Sequence, residues 1–236
     1  MGRLREAAAD LVLGARCAGC GRAGPLLCRP CALALRADVR AAWPEPTPEP
    51  LTLPEPVPPF AAGDYDGPLR AALLQLKEHQ RLALLPALSA LLAASVAAVH
   101  AGPGGPDALV LVPMPSRRPA VRERGYDAVA LLAARAARDL RRRGRDVRVA
   151  RVLRHRSAVR DQAGLTAGER AGNLAGALRV TGAFPAGRGV VLVDDVITTG
   201  ASMAEAVRAT RRAGATPVAV AVVAATRRRT PPSYRW

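Results

Sequence analysis

Thirteen consecutive residues, Val190-Val191-Leu192-Val193-Asp194-Asp195-Val196-Ile197-Thr198-Thr199-Gly200-Ala201-Ser202, constrain the fold of this chain more than any other segment. Four aliphatic residues in a row, without alternation, read as a strand covered on both faces, which is the habit of a parallel sheet in an α/β protein. Ligands of such sheets bind at the carboxyl ends of the strands, and Asp194 and Asp195 fall on that edge. Thr198, Thr199, Gly200, Ala201 and Ser202 then lead into a helix expected over 201–213, whose first N–H groups and positive dipole end favour a phosphate. Gly200 lets the backbone approach such a group closely. Two adjacent carboxylates are acceptor-only and repel each other unless given donors or a cation, for which ribose hydroxyls and Mg²⁺ are suitable. The plainer alternative is a strand end followed by an N-capped helix with two solvated acids. The contiguous order of apolar run, acid pair, hydroxyl pair and glycine weighs against it.

The 236 residues are enough for one sizeable α/β core and a small appendage, and a hydrophobic content of 50% supports a globular protein. All four cysteines lie in the first segment, as Cys17-Ala-Gly-Cys20 and Cys28-Arg-Pro-Cys31. Each pair forms a short knuckle, and the connection brings the pairs together as a closed, structural Cys₄ site for Zn²⁺. Disulfides are the alternative, weaker in a cytoplasmic protein. No secretory leader is apparent, because Leu11-Val12-Leu13 is too short for one and Glu6 and Asp10 interrupt it, so a cytoplasmic location is expected. Residues 82–99 are uncharged and long enough to raise a membrane span. Alanine dominance, Pro86, Ser89, Ser95 and the stripe Leu85, Leu88, Leu92, Val96, Val99 instead predict a buried amphipathic helix, hence no membrane partner.

The expected organisation is a zinc-binding module over 1–42, a Pro-rich linker over 43–59 and an α/β domain over 60–236. Helices are predicted at 68–77, 82–99 and 124–143, and strands at 107–112, 147–153, 177–180 and 217–224 besides the one already described. Alternating strands and helices imply right-handed crossovers and an open parallel sheet. The loop after the 107–112 strand, with Ser116, Arg117, Arg118, Arg122 and Arg124, opens on the same edge as Asp194. Its arginines can hold pyrophosphate through forked, charge-assisted hydrogen bonds, or can simply be solvated. Residues 154–172 are too long and polar for a plain connection. Lys77, the sole lysine, reads equally as a ligand contact or an exposed charge, and His155 as a surface residue.

The formal net charge is +16, and residues 135–156 hold ten arginines against Asp139 and Asp146. Such a stripe attracts polyanions, and weak, non-specific DNA binding is expected of it. An aromatic content of 3% leaves little for base stacking.

The 190–202 run resembles the phosphoribosyl pyrophosphate (PRPP) signature of type I phosphoribosyltransferases. Cys17-x2-Cys20 and Cys28-x2-Cys31, Leu76-Lys77, Val112-Pro113-Met114-Pro115 with Arg122-x-Arg124-Gly125-Tyr126, and Gln162 with Glu169-Arg170-x-x-Asn173-Leu174 follow the order of the ComF family, also called GntX. These are bacterial, competence-associated, phosphoribosyltransferase-like proteins. The resemblance covers nearly the whole chain. It implies that Asp194 and Asp195 contact the ribose hydroxyls, that 198–202 bind the 5′-phosphate, and that the Ser116–Arg124 loop forms the pyrophosphate side. It further implies that 154–172 close over PRPP, with Arg154, Arg156, Arg160, Gln162 and Arg170 as candidate contacts. The family commonly shows RGFNQ where this chain has Arg124-Gly125-Tyr126-Asp127-Ala128, so the amide pair is absent at Asp127 and Ala128. The expected function is displacement of pyrophosphate from Mg²⁺-bound PRPP by an unidentified acceptor, linked to DNA uptake. The alternative is a non-enzymatic competence protein that senses PRPP or a nucleotide and binds DNA.

Overall fold

The computed structural model describes residues 15–101, 106–156 and 176–226. Helix α1 (Arg29–Ala34) belongs to the cysteine-bearing segment and is followed by the two short strands β1 (Arg40–Ala41) and β2 (Pro59–Ala61). Helices α2 (Gly67–Glu78) and α3 (Leu85–Ala101) precede strand β3 (Ala108–Pro113). Then come α4 (Arg118–Arg124), α5 (Ala128–Arg142), β4 (Asp146–Val149), β5 (Leu153–His155), β6 (Leu178–Val180), β7 (Gly189–Ile197), α6 (Ala201–Arg212) and β8 (Pro217–Ala225).

Six strands form one sheet in the order β1-β2-β8-β7-β3-β4, parallel throughout except for β1 at the edge, while β5 and β6 pair antiparallel as a separate ribbon. The expected α/β architecture is therefore present. Strand β7 lies between β8 and β3, and Val190, Val191, Leu192 and Val193 are all buried, as an unalternating aliphatic run requires. Val191 and Val193 face a layer that includes α2, α3 and α5, and Val190 and Leu192 face α6.

Helix α3 packs part of its apolar length against the sheet. Leu88, Leu92 and Val96 are fully buried against the sheet layer, and the Ser95 hydroxyl donates to the Val222 carbonyl of β8 at 2.8 Å. Residues 82–100 are nevertheless long and apolar enough to cross a membrane by composition.

Four local expectations change. The helix expected at 124–143 is two helices, because Gly125 ends α4 at φ 76° and the Asp127 carboxylate caps α5 by accepting from the Ala130 N–H at 3.2 Å. The strand expected at 147–153 divides into β4 in the main sheet and β5 in the ribbon. Pro59 at the end of the Pro-rich segment begins β2, whose pairing with β8 extends the sheet. The rest of that segment is packed rather than free: Leu51 and Val57 are fully buried, and Arg211 of α6 donates to the carbonyls of Pro50, Leu53 and Glu55.

The ribbon is fastened to α6 by Glu205, which is 4% exposed. Its carboxylate accepts the Leu178 N–H at 2.9 Å and the Arg208 guanidinium at 2.6 and 2.8 Å. Burial pushes this carboxyl's pKa up, but the Arg208 and backbone donors outweigh burial and hold it below the usual value. A depressed folded-state pKa contributes stability above the unfolded value of about 4.3 and loses it as pH falls through the folded value. Glu205→Gln should therefore lower stability by about 1–3 kcal/mol at pH 7, with the gap closing in acid below about pH 4. Chemical denaturation of both proteins across pH 3–7 checks this.

Candidate active site

Strand register brings the signature and the β3 loop together. Pro113 pairs with Val193, and the Met114 N–H donates to the Val193 carbonyl at 2.9 Å, so the chain leaves β3 beside Asp194. Asp194 shares its parity along β7 with Val190 and Leu192, and its Oδ1 accepts the Asp195 N–H at 2.8 Å. Asp195, 4% exposed, turns instead toward α2, where Lys77 forms an ion pair with its Oδ2.

The electrostatics follow from this division. Burial, then the neighbouring Asp195 charge, holds the Asp194 pKa well above the usual carboxylate range. Burial works to lower the Lys77 pKa, but the Asp195 carboxylate outweighs it and the net shift is upward. A single ammonium thus faces two carboxylates, leaving a site that gains from a cation or hydroxyl donors.

Beyond the acids, Thr198, Thr199 and Ser202 are exposed, and Gly200 takes φ 73° as the N-cap of α6. A Cβ at Gly200 would lie 2.6 Å from Pro44 Cγ, so the Pro-rich segment lies directly against the turn and only glycine fits. The α6 N-terminus and the acid pair consequently share one edge, with Ala201 opening the helix.

The arginine loop is more divided. Arg117, Arg118 and Arg122 are exposed, whereas Arg124 Nε donates to the Ala120 carbonyl of its own helix at 3.0 Å. Ser116 donates to Asp127 Oδ1 at 3.0 Å, and Arg151 pairs with Asp127 Oδ2 at 3.2 Å, which makes Asp127 a structural hub. Tyr126 donates its hydroxyl to the Leu76 carbonyl, tying this loop to the end of α2 next to Lys77. Arg154 donates to the Arg151 and Leu153 carbonyls at 2.7 and 2.9 Å, and Arg156 lines a different cavity, described below. Arg160, Gln162 and Arg170 lie outside the described residues. His155 reaches the Pro115 carbonyl at 2.8 Å and so joins the ribbon to the β3 loop.

The four cysteine sulfurs lie within 4.8 Å of one another, with Cys17–Cys28 and Cys20–Cys28 separations of 3.6 and 3.7 Å. A tetrahedral metal with M–S bonds of about 2.3 Å sets its sulfurs roughly 3.8 Å apart, so the four are positioned to bind one metal ion. Burial raises the Cys17 pKa, but backbone N–H donors from Cys28, Cys20 and Gly19 bring it down to about 6. Burial and the neighbouring sulfurs push Cys31 well up. The module rests on α2: a Cβ at Gly19 would meet Cys31 Sγ at 2.8 Å and Pro68 Cβ at 3.1 Å, and Arg81 donates to the Arg16 carbonyl at 2.8 Å.

Residues 130–236 match the phosphoribosyl transferase domain family. The match spans just under half of the chain and takes in the acid pair and the 198–202 turn. No curated protein matches the chain. A phosphoribosyl transferase domain is consistent with the edge described here, which holds a carboxylate pair and a helix N-terminus. Its match begins after α2, so Lys77 lies outside it.

Proposed function

We propose that this protein is a phosphoribosyltransferase of the ComF type, which binds PRPP and lets an acceptor displace pyrophosphate from C1. The observation that carries this reading is the half-buried Asp194 beside the buried Asp195, just before the glycine-capped α6, on the edge where β3 also ends. The acid pair accepts the ribose hydroxyls, the N–H groups at 198–202 receive the 5′-phosphate, and Arg117, Arg118 and Arg122 take up pyrophosphate. Lys77 pairs with Asp195 and orients its carboxylate. Asp194 and Asp195 are also the carboxylates suited to a hard divalent cation, and bound Mg²⁺ would supply neutralisation of pyrophosphate charge. The chain contributes positioning and fixed charge rather than a covalent nucleophile. Zn²⁺ on Cys17, Cys20, Cys28 and Cys31 is structural.

The test is release of pyrophosphate from PRPP by the purified protein with bases, nucleosides or single-stranded DNA offered in turn. Acceleration by one class over PRPP alone supports the transferase. PRPP binding with no acceleration by any acceptor supports the sensing reading instead.

The arginine stripe favours that second reading, in which the protein engages DNA. Arg138, Arg141, Arg142, Arg143, Arg145 and Arg148 are all exposed, and α5 ends at Arg142, just before β4 begins, away from the carboxyl edge. Replacing Arg141, Arg142 and Arg143 by alanine should reduce the salt slope of DNA binding by up to about 0.7–0.9 per lost phosphate contact. PRPP binding should stay unchanged. Titrations of a labelled oligonucleotide at several salt concentrations measure both the slope and the affinity, and an unchanged slope would leave the stripe as solvated helix surface.

A further inference from the structure

Four arginines, three of them exposed, line an open cavity of about 160 Å³ that the acid pair does not touch. Arg208 and Arg212 come from α6, Arg179 from β6, and Arg156 follows β5, while Leu178 and Ala209 form an apolar part of the wall. At 1.5 Å per residue, Arg208 and Arg212 lie about 10 and 16 Å along α6 from Ala201, well past the turn that faces the sheet's ligand edge.

Among the described residues, the charge of this cavity is only partly neutralised. Glu205 pairs with Arg208, but Arg156, Arg179 and Arg212 have no carboxylate partner among the described residues. A cation near a helix C-terminus has an ordinary reason to be there, and that reason covers Arg212. It does not cover Arg156 and Arg179, which stand on a two-stranded ribbon with no helix dipole to satisfy. Like charges drawn around a concave, partly apolar surface repel, and an anion with several oxygens resolves the conflict through forked hydrogen bonds.

We propose that this cavity is a second anion site, distinct from the acid-pair edge, for a compact inorganic oligophosphate of the pyrophosphate class. Its volume is well below the roughly 300–1,000 Å³ of sites for larger organic ligands, which favours a bare oligophosphate over a nucleotide. Among the described residues, four arginines against one glutamate leave three positive charges, matching a multiply ionised diphosphate better than a monoanion. Bound there, the anion bridges the β5–β6 ribbon to α6 beside the existing Glu205 tie. The site stands on its own charge and shape, whichever reaction the acid pair serves.

The experiment is calorimetric titration of the full chain with sodium pyrophosphate in the presence of EDTA. Arg179→Ala/Arg212→Ala and Asp194→Asn/Asp195→Asn are measured beside the wild type. The cavity variant should lose pyrophosphate affinity at least tenfold while keeping its PRPP binding in Mg²⁺, which also shows that it is folded. The acid-pair variant should keep pyrophosphate binding in EDTA. No binding by wild type, or equal affinity in the cavity variant, overturns the proposal. Loss of oligonucleotide binding with pyrophosphate binding unchanged also overturns it and assigns the arginines to nucleic-acid backbone.

Discussion

Asp195→Ala is expected to weaken PRPP binding at least tenfold, about 1.4 kcal/mol, because it removes a charge-assisted acceptor from the place where the ribose lies. The buried position of Asp195 makes the loss larger than a surface carboxylate would give, since no water replaces it cheaply. A second consequence follows from the ion pair. Lys77 loses its carboxylate partner and must find another, Asp194 being the available one. Lys77→Gln should therefore weaken binding less than Asp195→Ala, because it disturbs the orientation of Asp195 without deleting the acceptor. Calorimetry that finds unchanged PRPP affinity in a folded Asp194→Ala/Asp195→Ala protein would contradict this account of the pair.

Metal removal should have the other large effect. Structural Zn²⁺ sites of this donor set contribute apparent binding free energies of about 10–16 kcal/mol in small modules, so the cysteine segment should unfold without its ion. The sheet should survive, because the cysteine segment adds only Ala18 and Leu35 to the buried core, most of which comes from α2, α3, α5, α6 and the strands. Damage should reach α2, against which Gly19 packs, and Arg81 just beyond it, which donates to the Arg16 carbonyl. Cys17→Ser/Cys20→Ser protein should bind less than one metal per chain by elemental analysis and show an early unfolding transition that wild type lacks. A full complement of metal in that variant would be the contrary result.

The signature was legible because its physics is local: an aliphatic run covered on both faces, two acids at its end, then a glycine at a left-handed turn. The parallel sheet and the buried 82–99 stripe were legible for the same reason, since burial periodicity is written residue by residue. What escaped depended on contacts distant in sequence. Lys77 was visible only as the sole lysine, and nothing near it in the chain shows that α2 carries it to Asp195, 118 positions away. The Pro-rich segment reads as an extended tether, yet Arg211 and Gly200 draw it onto α6 through contacts more than 150 residues apart. The break between α4 and α5 could have been read from Gly125 and Asp127, a C-cap followed by an N-cap. The arginine loop carried the weakest signal, because a charged loop has the same composition whether its side chains await a ligand or bind their own backbone, as Arg124 does.

The central claim is that the edge formed by Asp194, Asp195 and residues 198–202 is a PRPP site that works with Mg²⁺. Its most direct test is calorimetric titration of PRPP into the wild-type chain, once with Mg²⁺ and once with EDTA. One PRPP bound per chain in Mg²⁺, with binding weakened or lost in EDTA, is the predicted result. No binding in Mg²⁺, or binding that Asp194→Asn/Asp195→Asn leaves intact, would contradict it.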